Sequence, residues 1–327
     1  MPLPADPGPN EVLIKLRSVG ICGSDMHWYL DGSIYGFPAT YPLVLGHEPA
    51  GDVIAVGSAV SALRPGDRVS IEPTISCGHC EHCARGQHNN CLQSQFMGSP
   101  QFPGLLREYA VVPAQNAEPV PENFSYTQAS LIEPVAVIMH MLELVQIHAG
   151  DSVAILGAGP IGLLAAAVAR HCGASEVLVA DKLPHRIKMA QDLGATAAVA
   201  IGQFRELVGD KTRGRGVDLA IDAAGAAETI NAALAVTRMG GTFVLIGIPN
   251  HVPVGVDLFS AMTKEVRILP LKRSNHRSKP AIALLASGAI PEAIVTHRVS
   301  VEQAPAAFQT LAEYRDGIGK LAIEFRA

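Results

Sequence analysis

The sequence predicts an α/β protein: a doubly wound parallel sheet in the second half of the chain, preceded by a β-rich region. Three observations carry that reading. From Asp151 onward, short apolar segments alternate with helix-like ones, the pattern of parallel strands covered by helices on both faces. Up to about residue 125 the chain reads instead as short strands between Pro/Gly-rich turns. The 327 residues are 48% hydrophobic and 17% charged, which supplies two cores and argues against disorder. The expected boundaries are 1–124, 125–269 and a return over 270–327.

The elements follow in order. Residues 11–17 alternate as a half-buried strand does, and 44–45, 53–56 and 68–71 are further strand candidates. Residues 126–147, rich in Ala, Leu, Val and Met, read as helix. Strands are then expected at 152–156, 176–180, 198–201, 217–222, 242–246 and 266–269. Helices are expected at 161–171, 184–193 and 227–236. Past Pro270 a helix over 279–287 leads into short strands. The apolar stretch 153–169 is broken by Gly157, Gly159, Pro160 and Gly162, which fits a buried strand–turn–helix and not a membrane span. Met1 to Pro9 has no basic start and no apolar run, so it does not read as a signal peptide. A net charge of −5 without a basic block argues against nucleic acid and anionic membranes as partners. Six cysteines, four of them between positions 77 and 91, point to a metal site in a reducing cytoplasm and not to a disulfide scaffold.

The strand at 152–156 runs into Gly157-Ala158-Gly159-Pro160-Ile161-Gly162 and then an Ala-rich helix. That context is what a G-x-G-x-x-G needs to bind a dinucleotide. Gly157 permits the tight turn, Gly159 lets backbone approach a pyrophosphate, and Gly162 lets helix and strand pack closely. Pro160 and Ile161 open the helix, whose N-terminus offers N–H donors to the phosphates. Asp181 follows the second strand. A carboxylate there accepts from ribose hydroxyls and repels a 2′-phosphate, predicting NAD over NADP. Lys182 and Arg186 lie just beyond and are within reach of a phosphate. The duller reading is a Gly-rich turn in some other doubly wound protein, with Asp181 as a helix cap.

Cys77, Cys80, Cys83 and Cys91 stand at x2, x2, x7 spacing, suited to one tetrahedral cage of four thiolates around Zn²⁺. Spacing alone leaves an iron–sulfur cluster as the rival. His79, His82 and His88 read as loop histidines. A second set is dispersed: Cys22 in Gly20-Ile21-Cys22-Gly23-Ser24-Asp25-Met26-His27, His47 in Gly46-His47-Glu48, and an acid in Leu131-Ile132-Glu133-Pro134. Cys, His and Glu suffice for a three-ligand zinc with an open position. Each also has a bland explanation: a core thiol, a buried hydrogen-bonding imidazole, a helix-capping acid.

These strings, the four-cysteine lobe and the later nucleotide unit occur in the order found in zinc-dependent medium-chain alcohol dehydrogenases. Over essentially its whole length the chain resembles them, and most of all the sorbitol/xylitol (polyol) branch. Arg68-Val69-Ser70-Ile71-Glu72-Pro73, Leu131-Ile132-Glu133-Pro134 and Val295-Thr296-His297-Arg298 match that branch's phrases. The resemblance implies a GroES-like catalytic domain, formed by the N-terminal part and the C-terminal tail, around a Rossmann domain. It implies a catalytic zinc on Cys22 and His47, with Glu48 as third ligand and Glu133 holding the zinc-bound water; in other branches the residue near 133 binds directly. It implies that Ser24 and His27 relay the substrate proton and that Trp28 and Arg273 border the substrate. The implied reaction is hydride transfer between a secondary alcohol and NAD, giving a ketone. The implied assembly is a homodimer or homotetramer, with the apolar run 242–248 as a sheet edge for a second subunit. The branch often carries Phe-Arg-Tyr where Lys272-Arg273-Ser274 stands here, and a Tyr where Trp28 stands. Those departures leave threonine at its 3-hydroxyl or a sugar acid such as idonate as alternative substrates. A catalytically silent NAD- and zinc-binding protein is the alternative from another class.

Overall fold

The computed structural model describes residues 6–34, 36–249 and 252–326; Met1 to Ala5, part of the stretch read for targeting, lies outside them. Strand Glu11–Gly20 organises the first half of the chain. Its alternation is what the sequence predicts: Val12, Ile14 and Leu16 are fully buried while their neighbours are half-buried. It pairs antiparallel with Glu48–Val56 along its length, with Tyr109–Pro113 at its start, and with Lys320–Glu324 at its end. The seven-stranded sheet runs Val295–Ser300, Lys320–Glu324, Glu11–Gly20, Glu48–Val56, Arg68–Ile71, Ala117–Pro119, with Tyr109–Pro113 beside Glu11–Gly20. Its core joins Val53, Leu63, Val69, Ile71, Met97, Leu105, Ala110 and Val112 to the first strand's inward row.

The second half is the expected parallel sheet. Six strands lie in the order Ala197–Ala200, Glu176–Asp181, Ser152–Leu156, Val217–Asp222, Thr237–Leu245, Arg267–Pro270, the 3-2-1-4-5-6 winding of dinucleotide-binding sheets. Ser152–Leu156 is buried throughout, and eight of the twelve residues of helix Pro160–His171 are buried against it or its neighbours. Burying each of Leu163, Leu164 and Val168 there stabilises the fold by about 1.5–3 kcal/mol.

The chain divides into two compact units, one of residues 1–137, 274–286 and 295–327, the other of 138–273 and 287–294. The chain passes between the units inside helix Ile132–Leu144, after Arg273, and on either side of 287–294.

Several elements depart from expectation. Residues 44–45 form no strand; their carbonyls accept from Gly104 and Leu106 N–H in an irregular loop pairing. The helix expected at 126–147 is broken at Leu131 into Tyr126–Ser130 and Ile132–Leu144. Helix Gly23–Leu30 was not expected, nor was Ala304–Ala312 among the C-terminal strands. The run 242–248 is not a sheet edge: Thr237–Leu245 is the fifth strand, and Arg267–Pro270 closes the sheet. Among the described residues no helix is long and apolar enough to cross a membrane.

Candidate active site

Cys22 is the N-cap of helix Gly23–Leu30, and Asp25, in the first turn, accepts from its backbone N–H (2.9 Å). That bond fixes the end of the helix and aims the Cys22 side chain. His47 and Glu48 come from the start of strand Glu48–Val56, paired with Gly20. Together these elements bring Cys22 Sγ, a His47 ring nitrogen and a Glu48 carboxylate oxygen within 4.8 Å of one another. Gly20 is needed here because a Cβ would run into the Glu48 carboxylate.

The groups behind these three are as informative as the three themselves. Asp25 is fully buried; it accepts from Gly46 N–H (3.0 Å) and lies 3.5 Å from His47 Nδ1. Burial works to lower the imidazole pKa, but Asp25 outweighs it and raises the value well above normal. His47 Nε2 is thereby turned to the other side, where Ser24 Oγ lies 3.4 Å away. Lys320, 1% exposed, forms an ion pair with Glu48 and donates to Ile21 O (2.9 Å). Its burial favours the neutral amine, yet Glu48 and then Cys22 hold it charged, with a raised pKa. Glu133 stands in the first turn of Ile132–Leu144 and is 7% exposed. Burial chiefly, with repulsion from Glu48 and Glu72 against the pull of His47 and Lys320, raises its pKa to about 8. Glu48, not Glu133, is grouped with Cys22 and His47. A soft thiolate from a helix cap, and an imidazole and a carboxylate from the start of a strand, fit a zinc with an open position.

His27, one turn after Ser24, pairs with Asp31 (3.0 Å) at the surface. Trp28, the chain's single tryptophan, is buried on the same helix. Arg273 belongs to the other unit and holds φ at +57°.

The four-cysteine lobe also fits its metal. All four sulfurs lie within 4.8 Å of one another, with Cys77–Cys83 at 4.0 Å and Cys80–Cys83 at 3.5 Å. A tetrahedral zinc with Zn–S near 2.3 Å has edges of about 3.8 Å, so the space holds one ion and not a multi-iron cluster. The Cys77 and Gln93 N–H groups donate to Cys91 Sγ, and Cys80 N–H to Cys77 Sγ. Backbone hydrogen bonds lower the Cys80 pKa to about 6, and burial raises that of Cys83 to about 11. The lobe histidines are engaged elsewhere: His79 with Cys77 O, His82 with Gln87, His88 with Ser76.

In the nucleotide unit Gly157 has φ +99°, and a Cβ on Gly162 would overlap Gly157 O. Gly159 instead faces open space bordered by Arg186, whose Nη1 would lie 3.7 Å from a Cβ there. That is the room a pyrophosphate needs at the N-terminus of Pro160–His171. Asp181 is buried and accepts from Ala158 N–H (2.7 Å) and Leu183 N–H (2.9 Å). Each carboxylate oxygen retains a second lone pair for a ribose hydroxyl.

A nucleotide-binding parallel sheet in a chain with one open and one closed zinc-type site defines a metal-dependent dehydrogenase. Comparison with known proteins agrees. Residues 8–122 match the alcohol dehydrogenase GroES-like domain, and 160–287 match the zinc-binding dehydrogenase domain. Sorbitol dehydrogenase of Bacillus subtilis is 36% identical over 99% of this chain and 92% of its own length. D-xylulose reductase A of Aspergillus niger is 36% identical over 97% and 90%. A Sinorhizobium meliloti structure bound to NADP superposes with a TM-score of 0.88 at 33% identity, covering 98% of this chain and 93% of that one. An Escherichia coli alcohol dehydrogenase solved with NADH gives 0.90 at 30%, covering 99% and 94%. The chain belongs to the zinc-dependent medium-chain alcohol dehydrogenases, in the polyol branch.

Asp25, Lys320 and Glu72 were missed as site residues. Asp25 had a local signal, an acid three positions after an N-cap. Lys320 had none, because only strand pairing brings it to Glu48.

Proposed function

We propose that this enzyme oxidises a secondary hydroxyl of an uncharged polyol or sugar-derived alcohol to a ketone, passing hydride to NAD, and runs the reverse reduction. The observation that carries this is the convergence of Cys22, His47 and Glu48 with Asp25 behind His47. Zinc, when bound by these three, supplies Lewis-acid polarisation of the reacting oxygen. Glu133 orients water in the site. Ser24 Oγ takes the hydroxyl proton, and His27, beside exposed Asp31, passes it to solvent. The turn at 157–162 holds the pyrophosphate, and Asp181 takes the ribose hydroxyls. Trp28, on the helix that carries Ser24 and His27, faces the substrate.

The similarity to sorbitol dehydrogenase and D-xylulose reductase supports a neutral polyol as substrate. The test is a substrate panel, NAD reduction being followed at saturating cofactor. Xylitol and sorbitol should turn over, while idonate and threonine should give at least tenfold lower kcat/KM; the reverse order overturns the substrate class.

A second subunit is expected at Arg267–Pro270, one of the two edge strands of the parallel sheet, and at exposed Leu258, Phe259 and Met262 of the preceding helix. Sedimentation should give a dimer or tetramer. The six free thiols suit the reducing cytoplasm.

A further inference from the structure

Buried polar groups outside the metal ligands concentrate where residues 274–276 meet the loop between Cys83 and Cys91. Asn275, 7% exposed, spends its whole amide on that loop. Its Oδ1 accepts from His88 N–H (2.8 Å) and Asn89 N–H (3.4 Å), and its Nδ2 donates to Gly86 O (2.9 Å). The His88 and His276 rings pack at 4.8 Å. One residue earlier Ser274, 1% exposed, donates to Glu72 Oε2 (2.6 Å), and Thr74 N–H donates to Glu72 Oε1. Arg273 and His276 flank the pair with φ of +57° and +53°. Non-glycine residues keep that conformation only where their surroundings hold them. Glu72 in turn bears electrostatically on Glu133. Hydrogen bonds thus link the backbone of the cysteine lobe, through Asn275 and its chain neighbour Ser274, to Glu72, whose charge is felt by Glu133 of the catalytic site.

We propose that Asn275 is a positioning residue through which the four-cysteine lobe fixes the Ser274–Glu72 pair at the wall of the catalytic site. The metal of the lobe therefore shapes the substrate pocket as well as closing the lobe. Only an amide supplies one acceptor for two N–H groups and a donor for a carbonyl at once. Asp keeps the acceptor and loses the donor; Ala loses all three bonds. The N–H groups that Asn275 accepts from belong to the loop between Cys83 and Cys91, two of the four sulfur donors. The kinetic arm of the test rests on the dehydrogenase reading; the exchange arm does not.

The experiment compares Asn275→Ala and Asn275→Asp with the unmodified holoenzyme. Zinc content, KM for polyol and for NAD, kcat, and amide hydrogen exchange over 86–91 and 272–278 are measured. Asn275→Ala should keep two zincs per chain and exchange faster in both segments. Its polyol KM should rise roughly tenfold, with kcat and the NAD KM within about threefold. Asn275→Asp keeps the acceptor but sets an oxygen against Gly86 O, so it should recover only part of that loss, and it stands in if the alanine variant does not fold. Faster exchange confined to 86–91 with an unchanged polyol KM would overturn the proposal, as would loss of the lobe's zinc in both variants. If the unmodified enzyme turns over no alcohol, the dehydrogenase reading fails, and coupled exchange of the two segments alone decides the link.

Discussion

Replacing Asp25 by Asn removes a charge without changing shape, and the structure allows its cost to be worked out. Asp25 is fully buried, and its two oxygens are both used: Oδ2 takes Cys22 N–H, while Oδ1 takes Gly46 N–H and faces His47 Nδ1. Asn has one oxygen. Whichever way its amide turns, an NH₂ meets a backbone N–H, donor against donor. One orphaned buried donor costs about 1–3 kcal/mol. The lost negative charge also removes what orients His47 and makes it a better ligand. Groups behind a metal-bound histidine typically contribute 10- to 100-fold in metal affinity, about 1.4–2.7 kcal/mol. Asp25→Asn should therefore lower Tm by about 4–8 °C and release the open-site zinc to a competing chelator at 10- to 100-fold lower chelator concentration. The lobe's zinc should stay. Metal competition with thermal melting of the same samples checks both halves. A variant that holds its zinc and Tm like the unmodified protein would refute the assignment of Asp25 as the group behind His47.

Elemental analysis of protein purified without chelator should approach two zincs per chain, and Cys83→Ser should lower that to one with a loss of solubility or Tm. In the nucleotide unit, Asp218 accepts from Ser152, Arg215 and Arg238. Although desolvation pushes the other way, those bonds hold its pKa well below the usual carboxylate range. A depressed carboxylate stabilises the fold above its unfolded pKa and loses that contribution as pH falls. Asp218→Asn should thus cost about 1–3 kcal/mol at pH 7 and flatten the acid limb of stability below about pH 4, read by denaturant melts across pH. Gly162→Ala should abolish NAD binding, measured by calorimetry, because its Cβ overlaps Gly157 O; retained affinity would show that the turn yields. Asp181→Ser should erase most of the preference for NAD over NADP in kcat/KM; a parent enzyme that prefers NADP would show that Lys182 and Arg186 outweigh the carboxylate.

What the sequence made legible was local. The phosphate turn declares itself in eleven consecutive residues, because strand, glycines and helix start are chemically tied to one another. The four cysteines lie within fifteen positions and end up within 4.8 Å. Errors arose where local appearance and tertiary pairing diverge. Val44 and Leu45 look like strand, but their carbonyls are taken by the loop at 104–106. The run 242–248 looks like an edge because it is apolar, yet the interior strands of a parallel sheet are the apolar ones. The edge on that side of the sheet, Arg267–Pro270, is mostly exposed. Helix Gly23–Leu30 hid behind its Gly, Ser and Asp, although Asp25 three positions after Cys22 was a capping signal.

The charge balance of the site is written in the C-terminal return, far from the ligands it serves. Strand Lys320–Glu324 pairs with Ser18–Gly20 in a register that sets Ala322 opposite Gly20. That register points Lys320 inward to Glu48 and to the Ile21 carbonyl beside Cys22. Because side chains alternate, a slip of one residue would turn Lys320 outward. Glu48 would then be a buried carboxylate without its cation, a loss of about 3–5 kcal/mol for a broken buried pair. Glu48, 1% exposed, thus has beside it a cation that the chain supplies about 270 residues later. The same return delivers Ser274 to Glu72 and Asn275 to the cysteine lobe. The ligands are read from loops one at a time. What makes their burial tolerable is strand register and the return of the tail, which carry no local sequence signature.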